Sequence, residues 1–429
     1  MRVKAFSGRV MIPGVRVLIV TSGSMGDVAP YTGLGSALRD AGHQVTVATH
    51  RPFADVVAAA GLPFEPIPGD LRAILPQARG QDGRSSGTGP RALAQLLRIA
   101  RPLIAELGAG ITEAVQKTRP EAILLSTVVA PLGYQVAEAA DVPWAGVFLQ
   151  PVAPTGDFGS VLLGGRSLGG FANRAVTATA NTISQLLYAA PVQALRRDLG
   201  LPGRPIRELR TWQDGGRYPT FHGFSTAVVP RPSDWRPQLE VVGYWWPAHP
   251  TYVPPPSLSA FLDAGPPPVF IGFGSMGPGQ GERLSRPVLE AVREAGVRAV
   301  VQAGWAGLDG SGSADVLTVG EVPHDWLFPR MAAVVHHAGA GTSAAGLRAG
   351  VPAVPVPVLA DQPFWADRLH RLGAAARPIP LSRLTAGNLA AGLREVVGNP
   401  HRGARAKAVA GRLAGEDGPA RVAAWLATL

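Results

Sequence analysis

Four short stretches hold the residue types that chemistry needs. The first, Gly23-Ser24-Met25-Gly26-Asp27, follows an apolar, β-branched run at residues 15–20. It therefore falls at the carboxyl end of a buried parallel strand, the edge at which open α/β sheets bind ligands. A carboxylate there can act as a general base when its surroundings tune it; capping the next helix is the local alternative for Asp27. The second, Gly272-Phe273-Gly274-Ser275-Met276-Gly277, is a formal G-x-G-x-x-G after another apolar run. Pro278 follows, so no helix begins where a dinucleotide fingerprint requires one, and a phosphate-contacting loop is the better reading.

The third stretch runs from Val334 through His336-His337-Ala338-Gly339-Ala340-Gly341-Thr342. It predicts a strand, a glycine turn and a helix starting near Thr342. Gly339 and Gly341 let backbone approach an anion, and the helix end offers free N–H groups and partial positive charge. With the Thr342 hydroxyl and a His337 ring N–H, this suits a diphosphate; a tight turn capped by Thr342 is the alternative. Adjacent histidines at a strand end face opposite ways, which argues against a zinc pair. In the fourth stretch Asp361-Gln362 stands before Pro363. Such a pair can accept from and donate to vicinal sugar hydroxyls, or simply cap a helix with proline in its first turn.

The elements that must position these residues alternate. Short apolar runs at 15–20, 44–49 and 64–67 are separated by helical spacing at 31–41 and 53–60, and this order predicts a doubly wound parallel sheet. Helices are expected at 91–118, 134–140 and 172–199, strands at 122–126, 144–148, 227–229 and 240–242, and a surface loop at 77–90. Around Tyr244-Trp245-Trp246-Pro247 and Pro254-Pro255-Pro256 the composition changes to that of a stiff linker. The strand–helix alternation then restarts, with one helix expected over 324–331. This divides the chain into an N-terminal domain (1–238), a linker (239–257) and a C-terminal domain (258–429) whose last helix can return to the first domain. A hinge near 247–256 is expected to close the halves over ligand.

Composition bounds the function. At 429 residues the chain is long enough for two cores, and the absence of cysteine excludes disulfides, thiolate metal sites and a cysteine nucleophile. The net charge of +10 comes almost wholly from scattered arginine, since only Lys4, Lys117 and Lys407 are lysines. That pattern suits background surface charge, not a nucleic-acid site, and leaves weak membrane-surface contact open. No apolar run reaches the ~18–20 residues of a membrane span, and residues 1–13 lack the core of an export signal, so the expected compartment is the cytoplasm. Either Met1 or Met11 can be the start.

Taken in order, these stretches resemble the family 1 glycosyltransferases of the GT-B fold, nearest to sterol-type and antibiotic-type bacterial members. The residues that carry the resemblance are 23–30, Val242-Gly243-Tyr244-Trp245, 269–276, and the block from Gly320-Glu321-Val322-Pro323-His324-Asp325-Trp326 through 336–342 to Asp361-Gln362-Pro363-Phe364-Trp365. The resemblance implies two Rossmann-like domains facing each other across a cleft, acceptor in the first and nucleotide sugar in the second. It implies Asp27 as base beside Gly26 and Met25 on the acceptor side. His337, Gly339, Gly341, Thr342 and Ser275 would hold the diphosphate, the backbone around Val322 together with Trp305 the nucleotide base, and Asp361 and Gln362 the sugar. Three positions depart from the family: Ala338 stands where glycine is usual, Met25 where arginine is common, and Ala29 where glutamine is common.

The implied reaction is an inverting transfer of a hexose or deoxyhexose from a UDP- or dTDP-sugar to a hydroxyl of a hydrophobic small molecule. It needs no cofactor beyond the nucleotide sugar, and no metal, in a monomer or homodimer. A sugar-nucleotide epimerase of the same architecture would need further acid–base groups on the donor side. A non-catalytic helper would not need Asp27, His337, Asp361 and Gln362 together.

Overall fold

The computed structural model describes residues 14–70, 90–205, 219–248, 251–274, 281–303 and 314–429. Two parallel sheets organise them. In the first, β1 (Arg16–Val20), β2 (Gln44–Thr49), β3 (Phe64–Pro66), β4 (Ala122–Leu125), β5 (Trp144–Phe148), β6 (Thr220–His222) and β7 (Leu239–Val241) lie in the order β3-β2-β1-β4-β5-β6-β7. In the second, β8 (Val269–Gly272), β9 (Ala299–Gln302), β10 (Val316–Val319), β11 (Ala333–His336) and β12 (Ala353–Pro355) lie in the order β10-β9-β8-β11-β12. Each sheet reverses its winding once, between β1 and β4 and between β8 and β11. Such a reversal opens a crevice at the carboxyl ends of the strands.

Helices cover both faces. In the first domain they are α1 (Met25–Asp40), α2 (Ala54–Ala59), α3 (Pro90–Thr118), α4 (Ala130–Ala140) and α5 (Gly170–Asp198). Next come α6 (Pro256–Asp263), α7 (Gly281–Ala295), α8 (His324–Leu327), α9 (Ala340–Arg348), α10 (Gln362–Arg371), α11 (Ala386–Gly398), α12 (Pro400–Leu413) and α13 (Gly418–Leu426). Alternate residues of β1 serve opposite faces, as the strand period demands. Leu18 and Val20 pack with Leu107 and Ile111 of α3 and Leu132 of α4. Val17 and Ile19 pack with Tyr31, Leu34 and Leu38 of α1 and with Val422 and Leu426 of α13. The chain's last helix is thus part of the first domain's core, and Arg421 on it pairs bidentately with Glu240 (2.6 and 2.8 Å).

Three expectations differ. Residues 227–229 are a turn, with the Val228 and Val229 N–H groups both donating to the Ser225 carbonyl. The strand in that region is β6, whose three residues are too short to show a period. The helix expected over 324–331 stops at Leu327 and continues as a 3₁₀ turn, Phe328–Arg330; Pro329 has no N–H with which to continue an α-helix. Strand β7, which the sequence assigns to the start of the linker, is the seventh strand of the first sheet. The loop expected at 77–90 lies, but for Pro90, outside the described residues. No helix among the described residues is long and apolar enough to cross a membrane.

The connection between domains is seated on α1. Trp245 is fully buried, its ring 5.8 Å from that of Tyr31. The Ala248 N–H donates to Thr32 Oγ1 (3.2 Å), and the Arg348 guanidinium at the end of α9 lies 4.4 Å over the Trp246 ring. The closest approach is at Gly33, where a Cβ would stand 1.7 Å from the Trp246 carbonyl oxygen. Only a residue without a side chain fits. Gly33→Ala is expected to destabilise the protein by about 1–3 kcal/mol, the usual range for overpacking, and urea unfolding measures it. Wild-type stability in that variant would mean the linker is not held against α1.

Candidate active site

Asp27 is the third residue of α1. Its Oδ2 accepts the Ser24 N–H (2.8 Å) and the Ser24 Oγ–H (2.9 Å), while its own N–H donates to the Ser24 carbonyl (2.9 Å). One oxygen of the carboxylate thus closes the turn, and Oδ1 takes no part in it. Gly23, at φ +140°, is what lets the turn fold so tightly. A Cβ there would lie 2.5 Å from Asp27 Oδ2. Burial raises the Asp27 pKa above the ordinary carboxylate value, and the bonds from Ser24 and Gln150 only partly offset this.

Asp27 lines a cavity of about 270 Å³ at the reversal point of the first sheet. Ser22 joins it from the end of β1, Thr127 and Val128 from the end of β4, and Leu149 and Gln150 from the end of β5. Val161 and Leu162 add an apolar wall, and Ala360 and Asp361 close it from the second domain. Behind the wall Ser22 Oγ meets His50 Nε2 (2.7 Å), and His50 Nδ1 meets the Ile67 carbonyl (3.0 Å). The ring is thereby oriented: Nδ1 carries the proton to the carbonyl and Nε2 accepts from the serine. Gly26 and Met25 occupy the exposed first turn of α1 and are not part of the cavity wall.

On the other side of the cleft, His337 follows β11 and is held between two glycines. A Cβ on Gly274 would approach its Cε1 to 2.8 Å, and one on Gly339 would approach its Nε2 to 2.5 Å. Burial lowers the His337 pKa to about 4, so the ring is neutral at pH 7. Its Nδ1 is buried and has no hydrogen-bond partner. The neighbouring His336 turns inward instead, its Nδ1 accepting the Ala338 N–H (3.0 Å). Ala338 itself is fully buried at φ +61°, a left-handed conformation that glycine adopts without strain. The departure from the family's glycine is thus accommodated in place.

Gly339 is the N-cap of α9, and no side chain caps the helix, so its first N–H groups and positive end are free for an anion. Gly341 has open space around its Cα, and Thr342 is half-buried in the same first turn. Asp361 is the N-cap of α10, yet makes no capping bond; its Oδ2 instead accepts from Trp365 Nε1 (2.8 Å). Burial raises the Asp361 pKa, and the charge of Asp27 across the cleft raises it further. Gln362 turns its Oε1 back to the Val358 and Leu359 N–H groups (2.8 and 3.2 Å), leaving the amide nitrogen for a ligand. Ala360, at φ +56°, makes the sharp turn into this pair. Val322 is buried in the core shared by the two domains. Ser275 and Trp305 lie outside the described residues. Among the described residues there is no group of three or more His, Cys, Asp or Glu side chains that could hold a metal ion.

Sequence reasoning passed over Ser22, Thr127 and Gln150. Each stands just past a strand end at the sheet's reversal point, and that position was the available signal.

Comparison with known proteins gives the class. Residues 17–115 match the glycosyltransferase family 28 N-terminal domain, and residues 303–429 match the erythromycin biosynthesis protein CIII-like C-terminal domain. An O-mycaminosyltylonolide 6-deoxyallosyltransferase of Streptomyces fradiae is 35% identical over 413 residues, 94% of this chain and 95% of that protein. A sterol 3-beta-glucosyltransferase of Arabidopsis thaliana is 33% identical over 385 residues, 87% of this chain. The chain spans only 59% of that plant protein's length. Among solved structures, a Streptomyces sp. SF2575 glycosyltransferase complexed with thymidine diphosphate superposes with TM-score 0.63 at 22% identity, over 97% of this chain and all of that one. The chain belongs to the family 1 glycosyltransferases of the GT-B fold, in the group related to sterol glucosyltransferases and Streptomyces antibiotic glycosyltransferases.

The raised pKa of Asp27 makes a stability prediction. A carboxyl whose proton is held more tightly in the folded state contributes fully below the unfolded pKa. That contribution is lost as pH rises through the folded value. Asp27→Asn keeps an oxygen for Ser24 but removes the charge. Its melting temperature should exceed that of the wild type at pH 7, with the difference vanishing near pH 3.5. A variant less stable than wild type at pH 7 would show that Asp27 is not penalised by burial.

Proposed function

We propose that the protein is an inverting glycosyltransferase that moves a hexose or deoxyhexose from a UDP- or dTDP-sugar to a hydroxyl of a hydrophobic small molecule. One observation carries the proposal: Asp27 from the first domain and Asp361 from the second line the same cavity, at the reversal point of the first sheet and against the turn that follows β12. A base and a sugar-binding carboxylate so placed can flank one anomeric carbon.

The chemistry follows from the positions. The acceptor oxygen attacks the anomeric carbon as Asp27 Oδ1 takes its proton. The new C–O bond forms as the bond to the diphosphate breaks, and the electron pair leaves on the diphosphate oxygen. Attack from the face opposite the leaving group inverts the centre, so an α-linked donor yields a β-glycoside. Asp27 then returns its proton to water. The departing diphosphate gains charge at the amino end of α9, where the N–H groups after Gly339, the Thr342 hydroxyl and the neutral His337 N–H can meet it. Asp361 and the Gln362 amide are assigned to the sugar hydroxyls, and Gly341 to close approach of a phosphate. Ser275, Val322 and Trp305 are assigned as the remaining nucleotide contacts.

An apolar acceptor is supported by the surface beside the cavity mouth. Leu162 lines the cavity and is half exposed, and Leu163, Leu168 and Phe171 are exposed nearby in sequence. The cavity can take the reactive end of such a molecule while its body lies against these side chains. By their names, the relatives given above act on a sterol and on O-mycaminosyltylonolide, and a related structure holds thymidine diphosphate.

The test pairs binding with turnover. Thermal shift without metal should show stabilisation by UDP or dTDP and none by NAD; ligand at 100 times its Kd adds about 2.7 kcal/mol. Asp27→Asn should lower kcat by at least ~10²-fold with nucleotide affinity unchanged, the scale of lost base catalysis. Stabilisation by NAD alone would overturn the donor assignment, and undiminished turnover would remove Asp27 from its role.

A further inference from the structure

The cavity contains a neutral side chain between its two acids. Gln150 stands two residues past β5 and lines the wall together with Asp27 and Asp361. Thr127 Oγ1 donates to Gln150 Oε1 at 3.5 Å. With the oxygen turned to Thr127, the nitrogen and its two N–H groups are the end available to the carboxylates. We propose that Gln150 is a positioning residue that spans the cleft, its amide nitrogen donating to Asp27 of one domain and Asp361 of the other, so that the base and the donor-side acid are held as one unit.

The physical need for such a group is plain. Two half-buried carboxylates from different domains face each other, and like charges in a poorly solvated cleft repel. A neutral donor between them satisfies both without adding charge. The pKa directions agree: Gln150 lowers both acids, against the burial that raises each and the Asp27 charge that raises Asp361. The other groups facing Asp27 do not replace it. Tyr31, along the same helix, spends its hydroxyl proton on the Val147 carbonyl (2.6 Å), and burial holds its pKa well above the usual phenol value. Ser24 serves only Oδ2, and His50 is engaged by Ser22 and Ile67. Without Gln150 the two acids would share no donor, and Asp27 would keep its proton to higher pH.

This inference rests on Asp27 acting as the base, and its test separates the two. Gln150→Leu and the isosteric Gln150→Glu are each made with and without Asp27→Asn. The melting-temperature difference between each Asp27 protein and its Asn partner, followed from pH 3.5 to 8, reports where Asp27 ionises and needs no turnover. That midpoint should move up by about half a unit or more in Gln150→Leu and further in Gln150→Glu. The acidic limb of kcat/KM, measured with dTDP-glucose and a macrolactone aglycone, should move with it, and activity should recover at higher pH. If Gln150→Leu does not fold, Gln150→Glu carries the same measurement. An unmoved midpoint in a folded variant overturns the role of Gln150 while leaving the base assignment intact. Full turnover by Asp27→Asn alone overturns the base assignment, and the positioning role with it.

Discussion

Everything at the cleft depends on where helix α1 sits. Its inner face is part of the first core, with Tyr31, Leu34 and Leu38 buried against the sheet. Its flank is pressed against the linker at Gly33, where backbone meets backbone with no room for a methyl group. It also touches α9 of the second domain and α13 at the end of the chain. The amino end of this same helix carries Asp27. A helix held on so many sides cannot shift without disturbing both domains. The carboxylate it presents is therefore set in place by packing, while its own bonds to Ser24 only orient it.

The second domain gathers polar groups at a helix end without adding formal charge there. Its means are backbone conformation and burial. His337 fits only because positions 274 and 339 have no side chains. Ala338 and Ala360 both take left-handed conformations, one beside the histidine and one beside Asp361. Residues held in such conformations cost stability and persist where the surroundings over-determine them. The lowered pKa of His337, the uncapped end of α9 and the unpaired Nδ1 stand together in one turn that carries no formal charge of its own.

The two domains also share one apolar core. Phe158 of the first lies 5.3 Å from Phe364 of the second, Phe224 lies 5.9 Å from Trp365, and Ser225 bonds Glu416 (2.6 Å). Phe364 and Trp365 belong to the helix that begins with Gln362, and Trp365 also holds Asp361 through its indole N–H. Asp361 is thus tied to the surface that joins the domains. A change in how the domains meet would reach Asp361 through Trp365 and Asp27 through α1.

Much of this was legible in the residues alone. Parallel strands announce themselves as short β-branched apolar runs, glycine turns mark their carboxyl ends, and sheets of this kind bind ligands at that edge. Those grounds point to Asp27, His337, Asp361 and Gln362 as candidates, and the prolines and tryptophans point to a linker. Strand β6 could not, because three residues carry no period, and neither could the stop at Leu327, where one proline outweighed a helical pattern. Gln150, Thr127 and Ser22 were silent for another reason. Their meaning comes from the meeting of loops after β1, β4 and β5 with a turn more than 200 residues further on. Local sequence determines which strand ends carry reactive groups. Which of those groups face one another is decided only when two cores pack, since that distance belongs to neither segment.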